Sequence, residues 1–124
     1  MGSLEISMDQ LSDLTVGIVK GEIRSDDILT WVEDYYSGTV TKFILVDFTE
    51  AELSKLRSEE LQKIAKEIKG IAALRESGKT ALVVGSDLGF GFGRMFKAYA
   101  EIEDIGVEYM VFRNMPEARK WLGV

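Results

Sequence analysis

The chain is 124 residues long, 46 % hydrophobic and 29 % charged, a balance that predicts one globular domain over 1–124 with a core of its own. It contains neither cysteine nor histidine. Their absence excludes disulfides, thiolate or imidazole metal ligands, cysteine nucleophiles and any Ser–His couple. The net charge of −6 argues against non-specific nucleic-acid binding. Residues 1–62 carry 5 Lys/Arg against 13 Asp/Glu, and residues 63–124 carry 10 against 8, so an anion site is expected in the second half. No run of about 18 apolar residues is present to span a bilayer, and the sequence predicts a cytoplasmic protein without a transmembrane segment.

Residues 4–8 alternate apolar and polar side chains, as a short edge strand does. A turn over Asp9–Asp13 leads to Thr15–Ile23, where Val16 and Ile18 keep a two-residue period, and the pair predicts an antiparallel hairpin. Ser25 reads as a helix N-cap with Asp26 and Asp27 in the first turn. Ile28, Val32 and Tyr35, flanked by Leu29 and Tyr36, form the stripe of that helix, which Gly38 ends. Residues 42–48 are a continuous apolar run, a strand buried on both faces in which Asp47 is the exception. Ser58, with Glu60 and Leu61, predicts a second capped start. Leu61, Ile64, Ala65, Ile68 and Ala72 continue it as a long amphipathic helix closed by Ser77-Gly78. Lys63, Lys66 and Lys69 lie off that stripe on a solvated face.

Thr80–Val84 is the next buried strand, and a loop with glycine at 85, 89, 91 and 93 follows it. Phe92, Phe96 and Tyr99 set the phase of the helix after the loop, and Gly106 ends it. Residues 107–113 are the last strand. Asn114 with Glu117 and Pro116 starts a short final helix with Ala118, Trp121 and Leu122 on its apolar face. The predicted order is β-β-α-β-α-β-α-β-α. This is an α/β layer sandwich with a mostly parallel sheet and an antiparallel edge hairpin.

The hairpin, the Ile-Leu-Val-Asp-Phe-Thr strand end at 44–49, the Ala-Leu-Val-Val strand at 81–84 and the closing Val-Phe-Arg-Asn-Met-Pro-Glu-Ala-Arg-Lys-Trp-Leu at 111–122 resemble SpoIIAA-like proteins. These are bacterial and archaeal relatives of the STAS domain, and the resemblance runs along nearly the whole chain. It implies the STAS fold and a non-enzymatic regulatory or protein-interaction role, with a protein partner or homo-oligomer. Signalling members carry a phosphorylatable serine in an Asp-Ser-Gly turn after the Asp-bearing strand. The matching region here, residues 50–60, lacks that motif and its glycine; Ser54 and Ser58 stand nearest its place.

The alternative is a protein that binds a small anionic or lipid-like ligand at the C-terminal edge of the sheet. Gly89, Gly91 and Gly93 would let backbone amides approach an anion, with Arg94 beside them and Asp47, Ser86, Asp87 and Arg113 emerging at the same edge. The spacing is G-x-G-x-G and no Gly-Lys-Ser/Thr follows, so neither a dinucleotide fingerprint nor a P-loop is present. The competing explanation is a tight turn with close helix packing. Phe92 continues the helix stripe, while Phe90 has no evident place. Asp47 or Asp87 with Arg94 would be the only route to catalysis. No catalytic residue, cofactor or metal is assigned.

Overall fold

A computed structural model describes residues 2–124. A five-stranded sheet runs in sequence order: β1 (Ser3–Asp9), β2 (Leu14–Glu22), β3 (Phe43–Glu52), β4 (Lys79–Val83) and β5 (Glu108–Phe112). β1 and β2 are antiparallel, and every later pairing is parallel. The helices are α1 (Ser25–Ser37), α2 (Ser58–Lys69), α3 (Asp87–Ile102) and α4 (Met115–Leu122). The α/β order and the antiparallel edge hairpin are as the sequence predicts.

Topology decides where the helices lie. Parallel strands laid down one after another, each joined by a right-handed crossover, place every crossover helix on the same face. α1, α2 and α3 therefore share one face, and α4 alone covers the other. The large cluster joins Val19, Ile23, Leu53, Leu61, Ile64, Phe96 and Tyr109 beneath the three helices. The smaller one joins Leu14, Leu45, Ala81 and Val83 to Ala118 and Leu122 of α4.

Several boundaries differ from expectation. β3 continues past residue 48 to Glu52, because after an irregularity between Ile18 and Lys20 the β2 pairing resumes with Lys20 opposite Glu50. Arg24 and Arg57, rather than Ser25 and Ser58, occupy the N-cap positions. Their backbone N–H groups donate to Asp27 (3.0 Å) and Glu60 (2.9 Å). Ser25 is freed to donate to Glu60, 2.7 Å away, which ties α1 to α2. The helix expected to run to Ser77 stops at Lys69, and a 3₁₀ turn over Ala72–Arg75 takes the remaining residues. α4 follows its signals: Asn114 accepts from Glu117 N–H, Pro116 sits in the first turn, and Gly123 closes it with φ +80°.

Candidate functional site

The expected glycine loop is helix. Ser86, in extended backbone, is the N-cap of α3 and its Oγ accepts from Gly89 N–H at 3.0 Å. Gly89, Gly91 and Gly93 therefore fall in the first two turns of α3. Gly89 and Gly93, four residues apart, face inward. A Cβ on Gly93 would stand 2.5 Å from Val111 Cγ2, and one on Gly89 would stand 3.1 Å from Val84 and 3.3 Å from Leu53. Glycine lets α3 lie close on β4 and β5 at these two points. A Cβ on Gly91 would meet nothing within 4 Å, and no contact explains that glycine.

The remaining predicted residues are distributed around this start. Asp87 pairs with Arg113 at 3.0 Å, and the Arg113 guanidinium lies 4.4 Å from the centre of the Phe90 ring. That gives Phe90 its place, as the platform for a cation. Arg94 is exposed on α3. Asp47 points to the α4 face, level with Val83 in the register. Its Oδ1 accepts from the backbone N–H (2.8 Å) and hydroxyl (2.7 Å) of Thr49. Only Asp87 and Arg113 of the predicted set are brought into an ion pair. Ser54, exposed in the turn after β3, donates to Glu52, and Ser58 opens α2 and donates to Glu59. Among the described residues no group of acidic side chains is placed to hold a metal ion, and no helix is long and apolar enough to cross a membrane.

A second site, outside the residues predicted above, lies beneath α1. α1 packs on α2, makes few close contacts with the strands, as α2 does, and alone among the four helices has no fully buried residue. Between α1 and the sheet lies an apolar cavity of about 200 Å³, floored by Gly17, Val46 and Leu82 and roofed by Ile28, Trp31 and Val32. Protein interiors ordinarily leave few voids larger than a water molecule. The cavity reaches the surface at Ile6, which lines it and is 57 % exposed.

At the end of the cavity near the start of the parallel strands sits Arg75, 3 % exposed. Nε donates to Thr41 O (2.8 Å), Nη1 to Thr80 Oγ1 (2.9 Å), and Nη2 to Lys42 O and Lys79 O (both 3.0 Å). All four acceptors are neutral, and among the described residues no carboxylate lies within ion-pair distance. Tyr35 lies under the guanidinium, 5.9 Å from ring centre to Cζ, and its hydroxyl accepts from Thr41 N–H at 2.7 Å. Burial raises the Tyr36 hydroxyl above its ordinary value, although the hydrogen bond and positive charge of Arg75 pull the other way. Burial also pushes Tyr109 well up. One signal for this end was available: Ile68, Ala72 and Arg75 continue the α2 stripe at i, i+4 and i+7, so an arginine holds an apolar-face position.

No protein-family model matches the chain, and no curated protein matches it. Among solved structures, an anti-sigma factor antagonist from Mycobacterium paratuberculosis superposes with a TM-score of 0.63 at 12 % identity. The match covers 100 % of this chain and 96 % of that one. The fold is STAS-like. The overlap spans every element of the chain.

Proposed function

We propose that the protein is a STAS-like module that works by binding another protein chain in the cytoplasm and carries out no chemistry of its own. The observation behind this reading is the end-to-end superposition on a protein named as an antagonist of an anti-sigma factor. The surface offered for binding is the start of α3. Leu88 is 49 % exposed there beside the Asp87–Arg113 pair, with Gly91 and Arg94 on the outer side. An exposed leucine ringed by charges suits a protein partner better than a free anion. An anionic ligand at this edge has less behind it, because the glycine amides are taken up in a helix and Arg113 is already paired.

Ser54 and Ser58 flank the neighbouring turn, where an added phosphoryl group would alter the charge of the same edge. Affinity capture from a native extract with the wild-type chain and with Leu88→Asp tests the reading. One specific partner should be retained by wild type and lost at least tenfold in the variant, at unchanged Tm. Equal capture by both forms would refute this surface, and no captured chain together with a strictly monomeric protein would refute the module itself.

A further inference from the structure

The geometry points to a binding site under α1 for a short amphipathic monocarboxylic acid, its apolar chain in the cavity and its carboxylate toward Arg75. This site is separate from the partner surface at the start of α3.

Size sets the chain. An apolar cavity of about 150 Å³ takes up benzene, so one of 200 Å³ accommodates roughly eight to ten non-hydrogen atoms. Lining sets the chemistry of most of the ligand: Val32, Val46 and Leu82 offer nothing to a polar group. Arg75 sets the other end. It carries a full positive charge among neutral acceptors, and burying a charge without a counter-ion is costly. Beyond those four acceptors the guanidinium hydrogen-bonds the Tyr36 hydroxyl, a contact that a bound carboxylate would share. A carboxylate there supplies the missing negative charge. A neutral apolar molecule fills the same volume and leaves that charge alone. A larger anion such as a diacyl lipid exceeds the volume. α1 suits the role of roof because it is pinned at both ends, by Ser25 to Glu60 and by Tyr35 to Thr41, with its middle only half-buried.

Trp31 reports on the site directly. In a Trp121→Phe background it is the only tryptophan, and its emission is followed while octanoate, 1-octanol and acetate are titrated at pH 7.5. Octanoate should saturate the signal and raise Tm, octanol should bind at least tenfold more weakly, and acetate should have no effect. Gly17→Val, which places methyl groups in the cavity floor, should weaken octanoate at least tenfold. Arg75→Met should abolish the preference for octanoate over octanol, and Arg75→Lys should keep it. Should Arg75→Met fail to fold, the wild-type comparison of octanoate with octanol decides alone. No saturable response to octanoate overturns the proposal. So does equal affinity for octanol, which would mark a neutral apolar site, and so does undiminished binding in Gly17→Val, which would place the ligand elsewhere.

Discussion

Replacing Gly93 and Gly91 separately by alanine should move stability in opposite directions. Alanine is better than glycine inside a helix by about 1 kcal/mol, and both positions lie inside α3. At Gly91 nothing opposes that gain, since a Cβ there meets no atom within 4 Å. The expected effect is a stabilisation of about 0.5–1 kcal/mol. At Gly93 the new Cβ falls 2.5 Å from Val111 Cγ2 and 3.1 Å from Val111 Cβ. The second distance matters more. Cβ is fixed by the backbone of β5, and a β-branched side chain has little rotamer freedom with which to retreat. Overpacking of this kind costs about 1–3 kcal/mol, so the helix gain is offset and the net change is a loss of up to about 2 kcal/mol. With roughly 3–5 °C per kcal/mol for a chain of this size, Gly91→Ala should raise Tm by a few degrees and Gly93→Ala should lower it by up to about ten. Urea melts at one pH give the free energies. A double-mutant cycle with Val111→Ala isolates the clash, and a favourable coupling of at least about 1 kcal/mol is expected between the two alanines. Changes of the same sign at 91 and 93, or additive behaviour with Val111→Ala, would show that the glycines do not set the distance between α3 and β5.

Three further outcomes follow from other parts of the fold. Gly17→Val, at a strand position whose Cβ stands 3.1 Å from the mobile Cδ1 of Leu4, should raise stability by about 0.5–2 kcal/mol through cavity filling, read by urea melts. Arg75→Met removes one donor from each of the carbonyls of Thr41, Lys42 and Lys79, although Thr41 O still accepts from the Tyr35 hydroxyl and Lys42 O from Lys79 N–H; it should cost about 1–3 kcal/mol, with the melt of Arg75→Lys falling between. Tyr109 keeps its proton in the folded state to a higher pH than the ordinary 10.0. The unfolded chain therefore loses that proton first as pH rises through 10, and stability must fall from there upward. Tyr109→Phe removes its share of this decline, seen as a flatter stability curve between pH 9 and 11.5.

The element order was legible because alternation and caps speak locally. Asn114, Pro116 and Gly123 mark both ends of α4 without reference to anything else, and the apolar runs at 42–48 and 80–84 can only be strands buried on two sides. The start of α3 departs from its sequence expectation for an energetic reason. Three glycines within five residues cost a helix about 3 kcal/mol relative to alanine, so local propensity alone predicts a loop. Ser86 followed by Asp87 is the same kind of start signal as Asn114, and tertiary packing against Val111 and Val84 explains why the helix keeps two of the glycines. Strand order alone brings Asp87 and Arg113 to the same edge of the sheet, where they form an ion pair. The face that Asp47 takes could not be seen from an unbroken apolar run, where both faces look alike. The cavity was invisible for a deeper reason, since a gap between two elements depends on volumes contributed by both.

That gap is the energetic problem the fold leaves open. A sealed void costs about 24 cal/mol per Å³, so this gap of 200 Å³, open at Ile6, withholds at most about 5 kcal/mol of stabilisation from a fully packed version of the same layers. Sequential right-handed crossovers already commit α1 to this face, so the chain cannot relieve the gap by moving the helix to the other side. Collapse onto the sheet is opposed at both ends of α1. Its N-terminus is held to α2 through Ser25 and Glu60, and its C-terminus is held at the height of Thr41 through Tyr35. Ser25→Ala is therefore the informative perturbation. It should cost only about 1 kcal/mol globally, yet it releases the end of α1 that stands nearest α2. Hydrogen exchange in residues 28–33 should then accelerate well beyond the change in α2 or α3. If exchange rises equally in all three helices, α1 is an ordinary part of the cooperative core and the standoff is not maintained by its two anchors.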